Sequence, residues 1–184
     1  MAEVFYAFTH GAEGFRRPVA VKRILDHLAE DPSFVAMFVE EARVTAALTH
    51  PNIVQIHDFA EDSDGAFFLV MEWVDGVNLF HWQQAYLAAG EHTPWHLVAA
   101  AGIEVLKALH GAHEHEDNAG RKVPVFHRDV TPQNILIGAN GVVKLTDFGL
   151  ARAMDRARMT QPQMLKGKLS YVAPEMITGR DPNV

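Results

Sequence analysis

The sequence contains no cysteine. That excludes a disulfide framework, a thiol nucleophile and a thiolate metal site. No apolar run approaches the ~20 residues needed to cross a bilayer. The start has no basic stretch leading into an apolar one, and Glu3, His10 and Glu13 interrupt it. It does not read as a signal peptide, so a cytoplasmic protein is the expectation, with membrane anchoring left to a longer parent protein. Positive charge is scarce: 16 Lys and Arg stand against 23 Asp and Glu, a net charge of −7. That balance argues against nucleic acid or an acidic membrane as partner. Internal repeats and low-complexity tracts are also missing.

What is present suits one soluble domain with a real core: 184 residues, 48% hydrophobic and 21% charged. The densest information lies in residues 125–149, VFHRDVTPQNILIGANGVVKLTDFG. Two short β-rich runs, Ile135-Leu136-Ile137 and Val142-Val143-Lys144-Leu145, flank the turn Gly138-Ala139-Asn140-Gly141. They predict a hairpin. A hairpin brings its ends together, so Asn134 should lie beside Asp147, with Asp129 on the loop just before. A carboxylate and an amide oxygen held together suit Mg²⁺, which takes hard oxygen ligands and shares them with phosphates. A second carboxylate can accept a hydroxyl proton.

Residues His127-Arg128-Asp129 with Asn134 five positions on, followed by Asp147-Phe148-Gly149, resemble the catalytic loop and D-F-G motif of the eukaryotic-type protein kinases. Other segments match in order. Val19-Ala20-Val21-Lys22 looks like the family's V-A-I-K strand. Glu41 lies in a helix-patterned stretch, Asp31 to Thr49, and resembles the helix-C glutamate. His50-Pro51-Asn52-Ile53-Val54 looks like the H-P-N-I-V turn, Glu72 to Gly76 like the hinge, and Ala173-Pro174-Glu175 like A-P-E. The cluster around Thr131-Pro132-Gln133-Asn134 and Gly167-Lys168-Leu169-Ser170-Tyr171 is similar to bacterial members.

The resemblance implies an α+β, two-lobed fold, with residues 1–74 as a small antiparallel β lobe carrying one helix. Residues 75–184 would be part of a mainly helical lobe. It implies ATP and Mg²⁺ as cofactors and a protein Ser/Thr hydroxyl as acceptor. Asp129 would be the catalytic base, and Asn134 and Asp147 would hold Mg²⁺. Lys22 would hold the α- and β-phosphates and pair with Glu41. Arg128 would read a phosphorylated activation loop, with Thr160 and Ser170 as candidate phosphosites. Val4, Ala20, Met71, Val74 and Leu136 would enclose the purine, and the backbones of Glu72 and Val74 would bond it.

The chain departs from the family pattern in three places. Only the tail of the glycine-rich loop is present, with Ala2 at its third glycine and Val4 at its final valine. Thr131 stands where many Ser/Thr kinases have lysine, while Lys168 stands where they have threonine. The two appear exchanged, so Lys168 is the candidate for the missing positive charge. The chain also stops soon after Ala173-Pro174-Glu175, which reads as truncation and should bare an apolar face of the long helix predicted over Trp95 to Glu116. Two competing readings follow: an impaired kinase that only binds nucleotide or a partner, and a small-molecule phosphotransferase. The A-P-E and H-P-N-I-V segments argue against the latter. A metal reading of His110, His113 and His115 lacks a third ligand at suitable spacing.

Overall fold

The computed structural model describes residues 2–63, 65–148 and 171, with Asp26, Met37 and Glu41 described by backbone alone. The chain opens with an antiparallel hairpin of β1 (Ala2–His10) and β2 (Arg16–Ile24), in register from Ala2↔Ile24 to His10↔Arg16. The sequence pattern ends the first strand at Ala7. Pairing with β2 carries it on to His10, because ladder bonds need no apolar alternation at an exposed end.

A single turn, α1 (Asp26–Ala29), leads into α2 (Pro32–Ala46). Asp31 caps α2: its side chain accepts a 2.8 Å hydrogen bond from the Ser33 amide, and Pro32 fills the first helical position. The helix ends three residues short of Thr49. Phe38, Ala42 and Thr45 turn its buried face towards the sheet. Strands β3 (Ile56–Glu61) and β4 (Phe67–Glu72) complete that sheet in the order β1-β2-β4-β3. The apolar, β-branched pattern of the sequence reads as a strand over Ile53 to Phe59, but the strand starts only at Ile56. Instead, Asn52, Ile53 and Val54 pair with Leu145 of a second sheet: the Val54 amide donates to Leu145 at 3.0 Å, and the Leu145 amide to Asn52 at 2.8 Å.

The second sheet is β5 (Gly76–Asn78), β6 (Ile135–Gly138) and β7 (Val143–Leu145), paired in that order. The predicted hairpin is β6–β7, with Leu136 opposite Lys144. Gly76 is required by close approach: a β-carbon there would fall on the Ile137 carbonyl oxygen. Helix α3 (Leu79–Ala88) is capped by Asn78, whose side chain accepts from the His81 amide. Helix α4 (Trp95–His113) follows and stops three residues before Glu116. The polar stretch after it folds into a loop tied by Glu114–Lys122 and Asp117–Arg121 ion pairs.

Two apolar clusters hold these layers. Ala20, Ile24, Phe38, Val54, Leu69 and Met71 fill the space between α2 and the first sheet. Leu48, Ile53, Val105, Ala108, Leu145 and Phe148 fill the second. Ala108 and Ala112 are fully buried, since small side chains let α4 lie close under β7. The other face of α4 exposes Trp95, Ile103 and Leu106, the last at 66%. The result is the α+β, two-lobed arrangement expected: an antiparallel sheet with its helix, then a mainly helical part. Among the described residues no helix is long and apolar enough to cross a membrane.

Candidate active site

The site forms where the two sheets meet. Lys22 points inward from β2 and is only 4% exposed. Its Nζ lies 2.9 Å from Asp147 Oδ1, just past the end of β7. The sequence links Lys22 to Glu41, whose side chain lies outside the described residues. No local sequence signal marks the contact with Asp147, since the two residues are 125 positions apart.

Asp147 has φ +64 and Arg128 φ +63. Such backbone is uncommon for non-glycine residues and costs on the order of 1–3 kcal/mol each. It persists only where neighbours fix it. His127 is the fixing group. It is 2% exposed, its ring packs on Phe148 at 4.5 Å, and its Nε2 lies 2.9 Å from the Thr146 carbonyl. The Asp129 amide donates to its Nδ1 at 3.2 Å. Both bonds are met by the neutral ring protonated on Nε2. The imidazole therefore ties the strand entering Asp147 to the loop carrying Asp129.

Burial holds the His127 pKa below its ordinary value, despite the raising effect of the Thr146 carbonyl and of the Asp147 and Asp129 charges. A depressed histidine stays neutral in the fold while the unfolded chain protonates near pH 6.5. Its contribution is therefore complete above about pH 6.5 and is lost as pH falls towards the folded value. Burial lowers His50 and His57 in the same sense. Urea midpoints should fall between pH 7.5 and 5.5, and His127→Phe should flatten part of that slope. An unchanged slope in that variant would remove His127 as a source.

Asn134 ties the loop carrying Asp129 from its other end. Its Nδ2 donates to the Asp129 carbonyl at 2.8 Å and to Asp129 Oδ2 at 3.1 Å. Its own carbonyl accepts from Thr146 at 3.0 Å, so the predicted adjacency of Asn134 to the end of β7 is present. With the amide nitrogen committed to Asp129, the side-chain oxygen is the donor Asn134 can offer a cation. That amide oxygen and the Asp147 carboxylate, on either side of the Asn134–Thr146 bond, are hard-oxygen donors of the type Mg²⁺ takes. Thr131 is 3% exposed, and its hydroxyl has no hydrogen-bond partner among the described residues. Phe148 is fully buried, and the Thr45 hydroxyl of α2 donates to its carbonyl at 3.4 Å.

The apolar residues expected around a purine also converge. Ala20 and Met71 are directly paired across β2 and β4, and Val74 and Leu136 pack on the same cluster. Val4 sits opposite Lys22 on β1 but is 60% exposed. Lys168, Thr160 and Ser170 lie outside the described residues.

Residues 3–183 match the family described as the protein kinase domain. The chain belongs to the protein kinase family. It is 40% identical over 183 residues to the tyrosine-protein kinase MasK of Myxococcus xanthus, covering 98% of this chain and 28% of that one. It is 38% identical over 169 residues to the serine/threonine-protein kinase PknA of Mycobacterium tuberculosis, covering 90% of this chain and 36% of that one. Among solved structures, the kinase domain of PknI from M. tuberculosis matches with a TM-score of 0.66 at 29% identity, covering 100% of this chain and 61% of that one. This kinase chain thus spans about a quarter to a third of the length of those two curated relatives. The catalytic-loop, strand and hairpin residues quoted from the sequence fall at one place in the fold, where β2, β7 and the loop before β6 come together.

Proposed function

We propose that the protein is a serine/threonine protein kinase that transfers the γ-phosphoryl group of ATP to a protein hydroxyl. The observation that carries this reading is the 2.9 Å contact between Lys22 and Asp147. A phosphate-binding ammonium and a metal-binding carboxylate meet beside an aspartate held by Asn134. In this reading the apolar cluster of Ala20, Met71, Val74 and Leu136 takes the purine, with Val4 closing over it. The backbones of Glu72 and Val74 bond its edge. Lys22, kept in place by Glu41, grips the α- and β-phosphates. Asn134 and Asp147 would hold Mg²⁺, which would supply positive charge against the phosphates.

Asp129 orients the acceptor hydroxyl and takes its proton. The hydroxyl oxygen bonds to the γ-phosphorus as the bond to the β-phosphate oxygen breaks, leaving ADP. Arg128 reads a phosphorylated activation loop. Lys168 supplies the charge that Thr131 does not, which is supported by the exchange of residue types and by the buried Thr131 hydroxyl. The lobes divide between residues 74 and 75, and the protein works in the cytoplasm. MasK bears a tyrosine-kinase name, but Val130-Thr131-Pro132-Gln133 lacks the arginine pattern of the tyrosine-specific loop.

Phosphoamino-acid analysis after incubation with γ-labelled Mg-ATP and a mixed protein acceptor tests the reading. Phosphoserine and phosphothreonine are expected. Phosphotyrosine alone would reverse the specificity, and no label would favour a nucleotide-binding module. In the same assay Thr131→Lys and Lys168→Thr should each lower kcat about tenfold or more, and the double variant should recover most of it. A double variant no better than the singles would end the exchange idea.

A further inference from the structure

Lys144 is absorbed by none of the roles above. It lies mid-strand in β7, directly opposite Leu136, three residues before Asp147. Its side chain reaches solvent less than a strand lysine usually does. It is 14% exposed, and its Nζ lies 2.9 Å from Glu72 Oε2. Glu72 ends β4, the strand that leads into the proposed purine-binding hinge. The pair therefore joins the last residue of the first sheet to the strand of the second sheet that carries the Asp147 turn.

Three further contacts fix the junction. The Glu72 amide donates to the Gln55 carbonyl at 2.9 Å. The Gln55 amide lies 3.3 Å from the same Glu72 Oε2 that meets Lys144. One residue earlier, Val54 is bonded to Leu145. Residues 54 and 55 are thus a shared seam, with β4 bonded through Gln55 and β7 through Val54. The Lys144–Glu72 pair closes the seam into a loop of contacts around the edge of the purine cluster. Leu136, opposite Lys144, is itself part of that cluster's wall. An exposed ion pair contributes little. This one is partly desolvated and shares its oxygen with a backbone N–H.

We propose that Lys144 is a positioning residue for nucleotide binding: through Glu72 it sets the hinge backbone at the distance from β7 that lets purine edge and phosphates be held at once. This rests on the reading of the site as an ATP site. It predicts an effect on nucleotide affinity rather than on phosphoryl transfer, since Lys144 touches no group proposed to react.

The test is fluorescence titration with a Mg-bound N-methylanthraniloyl derivative of ADP, which needs no turnover, together with steady-state kinetics in ATP. Lys144→Met should raise the dissociation constant and the KM for ATP about three- to tenfold and move kcat less than twofold. Lys144→Arg should restore most of the affinity, and Lys144→Glu combined with Glu72→Lys should bind better than Lys144→Glu alone. Unchanged affinity in Lys144→Met, or a fall in kcat with affinity unchanged, would overturn the proposal. So would failure of both Lys144→Met and Glu72→Gln to unfold cooperatively, since the pair would then serve stability rather than the hinge. A wild-type protein that binds the nucleotide but transfers no phosphate would strike the kinase reading and leave this one standing. One that binds no nucleotide would end both.

Discussion

Asp129→Asn should lower kcat for phosphoryl transfer by about 10²–10⁴-fold while leaving the affinity for Mg-nucleotide within a few-fold of wild type. The substitution is chosen for what it keeps. Asn134 Nδ2 donates to Asp129 Oδ2 at 3.1 Å and to its carbonyl at 2.8 Å. An amide at 129 retains an oxygen that can accept the first of these, and the second belongs to the backbone. The His127–Asp129 amide bond is likewise untouched. The loop should therefore keep its shape and lose only a group able to take the acceptor's proton. Steady-state kinetics beside a nucleotide titration separate the two effects. Equal loss of binding and turnover would mean that Asp129 builds the loop rather than serving the reaction.

Asp147→Asn should weaken Mg-nucleotide binding at least about a hundredfold, roughly 2.8 kcal/mol. It should also lower the stability of the nucleotide-free protein by about 1–3 kcal/mol. The second effect follows from Lys22, whose buried ammonium lies 2.9 Å from the Asp147 carboxylate. The carboxylate is about a third exposed, which keeps the expected loss below that of a fully buried pair. Backbone strain is not the cause, because asparagine tolerates the left-handed φ of +64 as well as aspartate does. Urea unfolding without ligand reads the stability term, and titration with and without Mg²⁺ reads the binding term. A variant that binds Mg-nucleotide normally would remove Asp147 from the metal site.

Much of this was legible in the sequence for a physical reason. The β6–β7 hairpin is a local structure with its own turn signal, so the return of the chain to Asn134 at Thr146, one residue before Asp147, is legible from spacing alone. Asp31 followed by Pro32 likewise reads as a helix start from two adjacent residues. Contacts between distant segments were not legible. Lys22 meeting Asp147, and Lys144 meeting Glu72, depend on how two sheets are set against each other, and no periodicity encodes that. Ile53 misled because an apolar β-branched residue looks alike in either sheet. His127 reads in sequence as part of a motif, while its work as a buried brace between two loops needs the Thr146 carbonyl and the Phe148 ring beside it.

Thermal unfolding of the protein with and without Mg-ATP tests most directly whether these residues form one nucleotide–metal site. A ligand that binds only the folded state at ~100 times its Kd adds roughly 2.7 kcal/mol. For a domain of this size that is a rise of several degrees in Tm. Such a rise is expected, dependent on Mg²⁺ and much reduced in Lys22→Ala and Asp147→Asn. A cooperative transition that Mg-ATP does not move, or moves equally in both variants, would contradict a single nucleotide–metal site.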